Sequence, residues 1–399
     1  MAIIFVNRFY WPDEPATAQL LTDLAESLAA AGNEVAVIAS RNRKLKAPRE
    51  EVRRGVRICR VGGTRFGEKN LIGRAVDFLI FSLGALLRLA RIVRQGDAVV
   101  IMTDPPLLGI PAAALTRSRR ARLLHWVQDI YPEIAMAVTG STWLRWLRPW
   151  RDWAWRQAEY CVAPGDDMAE LIRRRGANAV VIPNWAPGGL APTTADDLRT
   201  TWGLREKFIA AYSGNLGRVH ELLPLLDAAE ALRDETNIAF IFIGNGAQRP
   251  ALEKAVKTRG LSRVYFFPPQ PREQLGKTLA LGDAHFVTLR AGCEQLVFPS
   301  KFHGIAAAAR PVLFVGPRDC ALARLVRKQN LGLAFTAEET TPLADALRLL
   351  RDDPARRRAL GEAAARFDRE SGGFNHAVAA WQKIFQSPSG KTEKNIVAG

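Results

Sequence analysis

The sequence predicts an α/β protein built from two doubly wound domains that face a central cleft. Three observations carry this expectation. Short runs of Val, Ile and Ala alternate with amphipathic helical stretches, the signature of a parallel sheet covered on both faces. The alternation breaks at a stretch rich in Pro, Gly and Thr and then begins again. The 399 residues suffice for two sizeable cores.

The first domain is assigned to residues 1–185. "AIIFVN" is its opening strand, and "ATAQLLTDLAESLAAAG" is a helix stopped by Gly32. "EVAVIAS" and "VRICRVG" are strands, followed by a long helical stretch. "AVVIMT", "RLLHWVQD", "YCVAP" and "AVVIPN" complete the strands. Residues 186–205 lack periodicity and read as the linker. The second domain, 206–370, repeats the grammar. "FIAAYSG", "IAFIFIG", "VYFFPP", "AHFVTL", "PVLFVG" and "GLAF" are its strands, and an alanine-rich helix is placed at 302–309. A helix at about 373–386 is expected to pack back on the first domain. The polar tail 387–399 is expected to be disordered.

The net charge of +16 is unevenly spread. Residues 51–150 hold 16 Lys/Arg against 7 Asp/Glu, an excess of 9 in one quarter of the chain. Such a bias points to a polyanionic partner: nucleic acid, an anionic membrane surface or phosphorylated substrates. Four scattered cysteines without a CxxC pair read as buried thiols in a reducing compartment. The start "MAIIFVNRFYWPDEP" lacks the basic region of a signal peptide. The longest apolar run, "FLIFSLGALL", has ten residues where a bilayer span needs about 20. The expected location is therefore the cytoplasm, peripheral on the inner face of the membrane.

The second domain opens with "YSGNLGRVHELL". A helix beginning near Val219 would follow the loop, and Gly214 and Gly217 would let backbone N–H groups approach an anion. Arg218 offers a donor fork suited to phosphate. An ordinary strand-to-helix turn with a solvated Arg is the bland reading. In "FPSKFHG", Ser300 is a candidate N-cap and Lys301 falls in the first helical turn, where a cation is unfavourable unless an anion joins it. A solvated loop lysine is the alternative. "FIGNGAQR" carries a weak GxG after a strand. "HWVQDIYPE" puts Asp129 just after a strand, as a catalytic group or as a cap on a helix starting at Tyr131-Pro132. Trp143, Trp146, Trp150 and Trp153 recur at helical spacing with Arg145, Arg148 and Arg151 among them, fitting either a membrane interface or a core stripe.

No GxxxxGK[ST], HExxH, GxSxG or Asp-x-Asp occurs, and the five histidines show no metal-ligand spacing. No metal is expected, and no cofactor.

Taken in order, "FYWPDEPATAQLLTDLAESLAAAGNEVAVIAS", "DPP", "VQDIYPE", "IPNW", "YSGNLGR" and "FPSK" before the alanine helix and "RPV" resemble the retaining glycosyltransferases of family 4. The likeness covers essentially the whole chain. It is nearest to the bacterial branch that builds colanic acid, capsule and O-antigen polysaccharides. The resemblance implies the GT-B fold, two Rossmann-like domains around a cleft. It implies sugar transfer, of the hexosyl or deoxyhexosyl class, from a UDP- or GDP-linked donor to a polyprenyl-diphosphate-linked saccharide. Asp129, Arg218 and Lys301 would be catalytic, the two cations stabilising the departing pyrophosphate without a metal. Gly214, Asn215, Gly217, Gly246, Pro269, Glu294, Pro299 and Ser300 would bind the donor, and Trp11 and Asp104 would lie on the acceptor side.

The sequence departs from the family at two points, the first being that the lysine that often follows the GNxGR arginine is absent, Leu222 and Leu223 occupying that neighbourhood. Many members keep two glutamates separated by seven residues; here those positions are Leu296 and Gly304, with Glu294 two residues from the first. Two alternatives stand beside transfer: a GT-B sugar-nucleotide epimerase, and a non-catalytic basic protein binding membrane or nucleic acid. The first-domain loops offer few carboxylates for epimerisation beyond Asp104, Asp129 and Glu133, and no nucleic-acid motif is visible. The sequence sets no oligomeric state.

Overall fold

The computed structural model describes residues 1–41, 47–63, 71–188, 190 and 192–387. The tail expected to be disordered lies, from 388 onward, outside the described residues. The chain forms two compact units.

The first unit comprises Met1–Pro183, Gln295–Phe298 and the chain from Ala377. Its eight-stranded sheet runs β3-β4-β2-β1-β5-β6-β7-β8, with β1 (Ala2–Val6), β2 (Glu34–Ser40), β3 (Glu50–Arg53), β4 (Val56–Val61), β5 (Ala98–Met102), β6 (Arg122–Trp126), β7 (Tyr160–Ala163) and β8 (Ala179–Val181). All pairings are parallel except β3 with β4. Strand β3 was not foreseen, because "EEVR" is polar and only half-buried. Its signal was the turn: Arg54 and Gly55 both take positive φ, the geometry of a two-residue hairpin. Charged side chains on this edge strand also discourage edge-to-edge pairing.

The C-terminal helix Phe374–Gln386 belongs to this unit from Ala377. Trp381 packs edge-on against Trp126 at 5.1 Å, and Phe385 against Phe5 at 6.4 Å. Arg122, paired with Glu159 at 2.7 Å, donates to the carbonyls of Ile384 and Phe385, each at 2.9 Å. One side chain thus satisfies two of the carbonyls that a helix end leaves open.

The second unit comprises Asn184–Glu294 and Pro299–His376. Its sheet runs β11-β10-β9-β12-β13-β14, with β9 (Phe208–Ser213), β10 (Ile238–Ile243), β11 (Val264–Phe267), β12 (Ala284–Thr288), β13 (Val312–Val315) and β14 (Gly332–Phe335). All its pairings are parallel. The strand order reverses between β9 and β12, the place where doubly wound sheets bind ligands at their carboxyl ends. Cores on both faces explain why these strands read as unbroken apolar runs.

Three expectations about this unit change. The stretch 186–205 contains a helix, Asp196–Thr201, seeded by acidic residues in its first turn. It is held by Leu198 and by Trp202 stacked on Phe267 at 3.6 Å, so the linker composition concealed a packed element. The helix after "GNLGR" begins at Leu223, with Val219 still in the loop, because Leu222 and Pro224 start it. The alanine helix runs Lys301–Ala307 and ends early, Ala309 turning left-handed at φ 54 ahead of Pro311. A Cβ on Gly361 of the neighbouring helix would lie 2.2 Å from the Ala309 carbonyl oxygen, so that glycine permits the close approach there.

Candidate functional site

In the second unit, the site grows from the carboxyl end of β9. Gly214 leaves the strand at φ 133, its N–H donating to the Ile243 carbonyl at 2.9 Å. The following loop is locked to the loop after β10. Leu216 donates to the Asn245 carbonyl at 2.8 Å, and Gln248 donates back to the Leu216 carbonyl at 3.0 Å. The Gln248 side chain reaches the Gly217 carbonyl at 2.6 Å and that of His220 at 3.0 Å. Two glycines make room for this interlock. A Cβ on Gly244 would lie 2.1 Å from the Gly214 carbonyl oxygen, and one on Gly246 would lie 2.4 Å from the Leu216 carbonyl carbon. Gly246 thus faces backbone and shapes the loop.

Lys301 enters this loop from the first residue of its helix. Its ammonium lies 3.6 Å from the centroid of the Tyr212 ring and donates to the Tyr212 hydroxyl. That hydroxyl donates to the Asn215 carbonyl at 2.9 Å. A Cβ placed on Gly214 would sit 3.5 Å from the Lys301 Cε, so the glycine also opens space beside the cation. Burial holds the Lys301 pKa well below the usual lysine range. Among the described residues no carboxylate pairs with it. His220 completes the floor: its Nδ1 meets the Thr288 carbonyl at 2.8 Å, and burial, aided by the Lys301 charge, lowers its pKa to about 3. The ring is therefore neutral and Nδ1–H is the donor.

Tyr212 and His220 were missed from sequence as site residues. The signal was present in "YSGNLGRVH", where the strand-end Tyr and the His flank the glycines. Arg218 is exposed in the same loop, between Gly217 and His220. Asn215 is exposed, and Pro269 is exposed beyond β11. Pro299 is buried, and Ser300 occupies the N-cap position without a side-chain capping bond. Glu294 holds one buried carboxylate oxygen, Oε2, with no hydrogen-bond partner among the described residues. Gly304 faces inward: a Cβ there would touch Leu279 Cδ1 at 3.3 Å, so apolar packing takes the place of the family's second glutamate.

In the first unit, the order reverses between β1 and β5, and charged groups gather at their carboxyl ends. Arg8 pairs with Asp104 through two contacts, at 3.0 and 3.2 Å. Its guanidinium also covers Phe9 and Phe78. Asp129 follows β6; its N–H donates to Thr103 Oγ1 at 3.3 Å, and its backbone bridges Val297. The helix after it, Glu133–Thr139, has no side-chain capping bond at its start, so Asp129 does not serve as its cap. Burial, and then the charge of Asp104, push the Asp129 carboxyl up to about 6. Glu133 is committed elsewhere, to Arg151 by two 3.0 Å bonds and to Arg148 at 3.0 Å. The Trp11 ring is covered by Arg53 at 4.3 Å, and the Trp11 carbonyl accepts from Arg60 at 2.8 Å.

The tryptophan stripe is not core. Trp143, Trp146 and Trp150 are each more than 60% exposed, while Trp153 is half-buried. No helix among the described residues is long and apolar enough to cross a membrane. No group of three His, Cys, Asp or Glu side chains among the described residues could hold a metal ion.

Two family models match the chain, the glycosyl transferase 4-like domain over residues 17–185 and the glycosyl transferases group 1 domain over residues 194–367. The chain belongs to the family 4 glycosyltransferases of GT-B fold. WbjE of Pseudomonas aeruginosa, named as a probable glycosyltransferase, is 26% identical over 292 residues, 70% of this glycosyltransferase and 72% of WbjE. WcaI of Escherichia coli (strain K12), named as a "Putative colanic acid biosynthesis glycosyl transferase", is 37% identical over 135 residues, 33% of each chain. The fold is shared with HepE of Anabaena, solved in complex with UDP. That comparison has a TM-score of 0.74 at 15% identity and covers 97% of this chain and 100% of HepE. The enzyme reading of the sequence is thereby established, and the epimerase and non-catalytic alternatives lose their footing.

Proposed function

We propose that this glycosyltransferase moves a sugar, with retention, from a UDP- or GDP-linked donor to a polyprenyl-diphosphate-linked saccharide in bacterial cell-surface polysaccharide synthesis. One observation carries the donor half. Lys301 buries an ammonium over Tyr212, beside an open glycine, with no carboxylate partner among the described residues. A buried cation without a counter-charge is costly, and an anionic ligand supplies the missing charge. Negative charge grows on the leaving pyrophosphate as the glycosidic bond breaks, so a cation fixed beforehand favours the transition state over the ground state. Arg218, exposed in the same loop, brings the second cation. This pair does the work that a metal would otherwise do, and we assign no metal to the reaction. The unpartnered Glu294 Oε2 is assigned to a donor hydroxyl. Asp129, whose carboxyl burial pushes up to about 6, is assigned to the sugar or the acceptor hydroxyl. The UDP and UDP-glucose complexes of HepE, similar in fold, support the donor class.

The acceptor half rests on the first unit. Helix Leu71–Ile92 leaves Leu79, Leu83 and Leu87 exposed at helical spacing, and the three exposed tryptophans belong to the same unit. Beside Leu87, a cavity of about 450 Å3 is lined by Arg41, Arg49, Arg60, Arg88 and Arg91. Apolar side chains next to clustered arginines suit an anionic membrane surface and a lipid-borne diphosphate. On this reading the enzyme works at the inner face of the membrane, which these side chains would touch.

A thermal-shift panel of nucleotide diphosphate sugars, with and without EDTA, tests the reading. One sugar nucleotide is expected to raise the melting temperature equally in both conditions, and Lys301→Ala is expected to abolish that rise. A rise that requires divalent metal would defeat the metal-free mechanism. No rise with any sugar nucleotide would defeat the donor assignment.

A further inference from the structure

The second unit has another cavity, of about 690 Å3, a size ordinary for small-molecule sites. It lies at the amino ends of the strands, whereas the Lys301 site lies at their carboxyl ends. Its walls include Asp283, just before β12, and Arg310, just before β13, at the amino ends of strands. Lys301 opens the helix that ends at Ala307, and Arg310 follows it beyond the left-handed Ala309.

Five arginines line this cavity: Arg310, Arg357, Arg358, Arg366 and Arg369. Only two carboxylates do, Asp283 and Glu362, which leaves a surplus of three positive charges. Asp283 is already engaged. It pairs with Arg199 at 2.8 Å, lies 3.9 Å from Arg357 and accepts from the Ile209 N–H at 2.8 Å. Arg310 spends Nη2 on the Ala280 carbonyl at 2.8 Å, while its Nε–H is buried with no hydrogen-bond partner. Burial lowers the Arg310 pKa, and the charges of Arg199 and Arg357 push the same way against Asp283. An arginine rim around a buried, unsatisfied guanidinium donor is chemically a receptor for phosphate.

We propose that this cavity is a second anion site, built for a soluble phosphorylated small molecule that carries two or more negative charges. The lack of large apolar side chains in the lining distinguishes it from the exposed leucines and tryptophans of the first unit. None of the exposed large apolar residues among the described ones lies in its wall, so it offers nothing for acyl chains to enter. Arg366 and Arg369 are exposed at the rim and would meet the ligand first; Arg310 lies deeper and would supply its free donor last.

The test uses the full-length Lys301→Ala protein, so that the donor site does not contribute, with inorganic pyrophosphate as the probe in a calorimetric titration. The expected result is saturable binding that weakens as ionic strength rises. Arg366→Gln/Arg369→Gln should weaken it about tenfold or more with an unchanged melting temperature, because both side chains are exposed. Arg310→Gln should weaken it as well, circular dichroism confirming the fold. No pyrophosphate binding in the Lys301→Ala protein, or binding that neither arginine variant alters, would overturn the proposal. Phosphatidylglycerol vesicles that bind through these arginines where pyrophosphate does not would also overturn it, by assigning the site to lipid. The donor reading fails separately, as wild-type sugar-nucleotide affinity in Lys301→Ala, which the arginine variants do not affect.

Discussion

Replacing Asp129 with Asn should stabilise the protein while stopping transfer, and the stabilisation should depend on pH. An unfolded Asp carboxyl titrates near 3.8, whereas Asp129 in the fold titrates near 6. Between these values the folded chain holds a proton that the unfolded chain has released. Stability therefore falls as pH rises through the window, and the cost is complete above pH 6. The gap corresponds to roughly 3 kcal/mol above the window and to roughly 0.5 kcal/mol at about pH 4. Asn keeps the shape and removes the charge, so Asp129→Asn should gain up to about 3 kcal/mol at about pH 8 and almost nothing at about pH 4. Urea unfolding followed by tryptophan fluorescence at both pH values measures this, and a transfer assay measures the loss of function. If Asp129→Asn were destabilised at the higher pH, or gained equally at both, the buried charge would not be what the fold carries. Full transfer by the variant would remove Asp129 from the reaction.

Other outcomes follow from the same reasoning. Lys301 has a depressed pKa because it is buried, so a bound pyrophosphate should raise it and draw in a proton. Donor affinity should then fall with rising pH, and calorimetry in buffers of different ionisation enthalpy should detect proton uptake; none anywhere between about pH 7 and 10 would contradict an anion beside this ammonium. Gly246→Ala forces a methyl to 2.4 Å from the Leu216 backbone, at a φ of 158 that L-residues avoid. It should cost about 1–3 kcal/mol in stability and raise the KM for donor, since the loop carrying Arg218 must move; unchanged melting and kinetics would show the interlock to be soft. Trp143→Ser/Trp146→Ser/Trp150→Ser should reduce co-sedimentation with anionic vesicles about tenfold or more without lowering the melting temperature, because the rings are exposed. Retained co-sedimentation would move the membrane contact elsewhere.

The parallel strands were legible because burial on both faces leaves apolar runs that no helix pattern imitates. The edge strand β3 was not, because half-buried "EEVR" has the polarity of a loop. Helix Asp196–Thr201 was hidden for a related reason: Pro, Gly and Thr around it mask a six-residue element held by Leu198 and Trp202. At the site, Lys301 was legible as a cation where a helix start disfavours one. Tyr212 was not, since a strand-end tyrosine looks like core until the fold lays the lysine across its ring. Gly246 was legible as a loop glycine after a strand. Only the backbone shows that its missing side chain admits a neighbouring loop. Spacing along the chain reports what one element needs locally, and it carries no information about which loops interlock.

Lys301 and Asp129 share a physical oddity. Each is a charge that burial disfavours, with its pKa moved toward the neutral form, and neither has an opposite charge bonded to it among the described residues. Other carboxylates are paired: Glu133 has Arg151 and Arg148, Glu159 has Arg122, and Asp283 has Arg199, while Asp368 resembles Asp129, burial pushing its carboxyl up to about 6. A chain this rich in arginine could have given Asp129 a partner, and it gave one to Asp104 instead. Burial raises the Asp129 pKa, and the charge of Asp104 beside it raises it further. Lys301 shows the converse, a cation whose neighbours are a phenol, a neutral imidazole and a glycine. Folding stability is lower for both choices, and a sequence selected for stability alone would drop them. Their placement at the carboxyl ends of the sheets is what a substrate that carries the complementary charge and the transferable proton would explain.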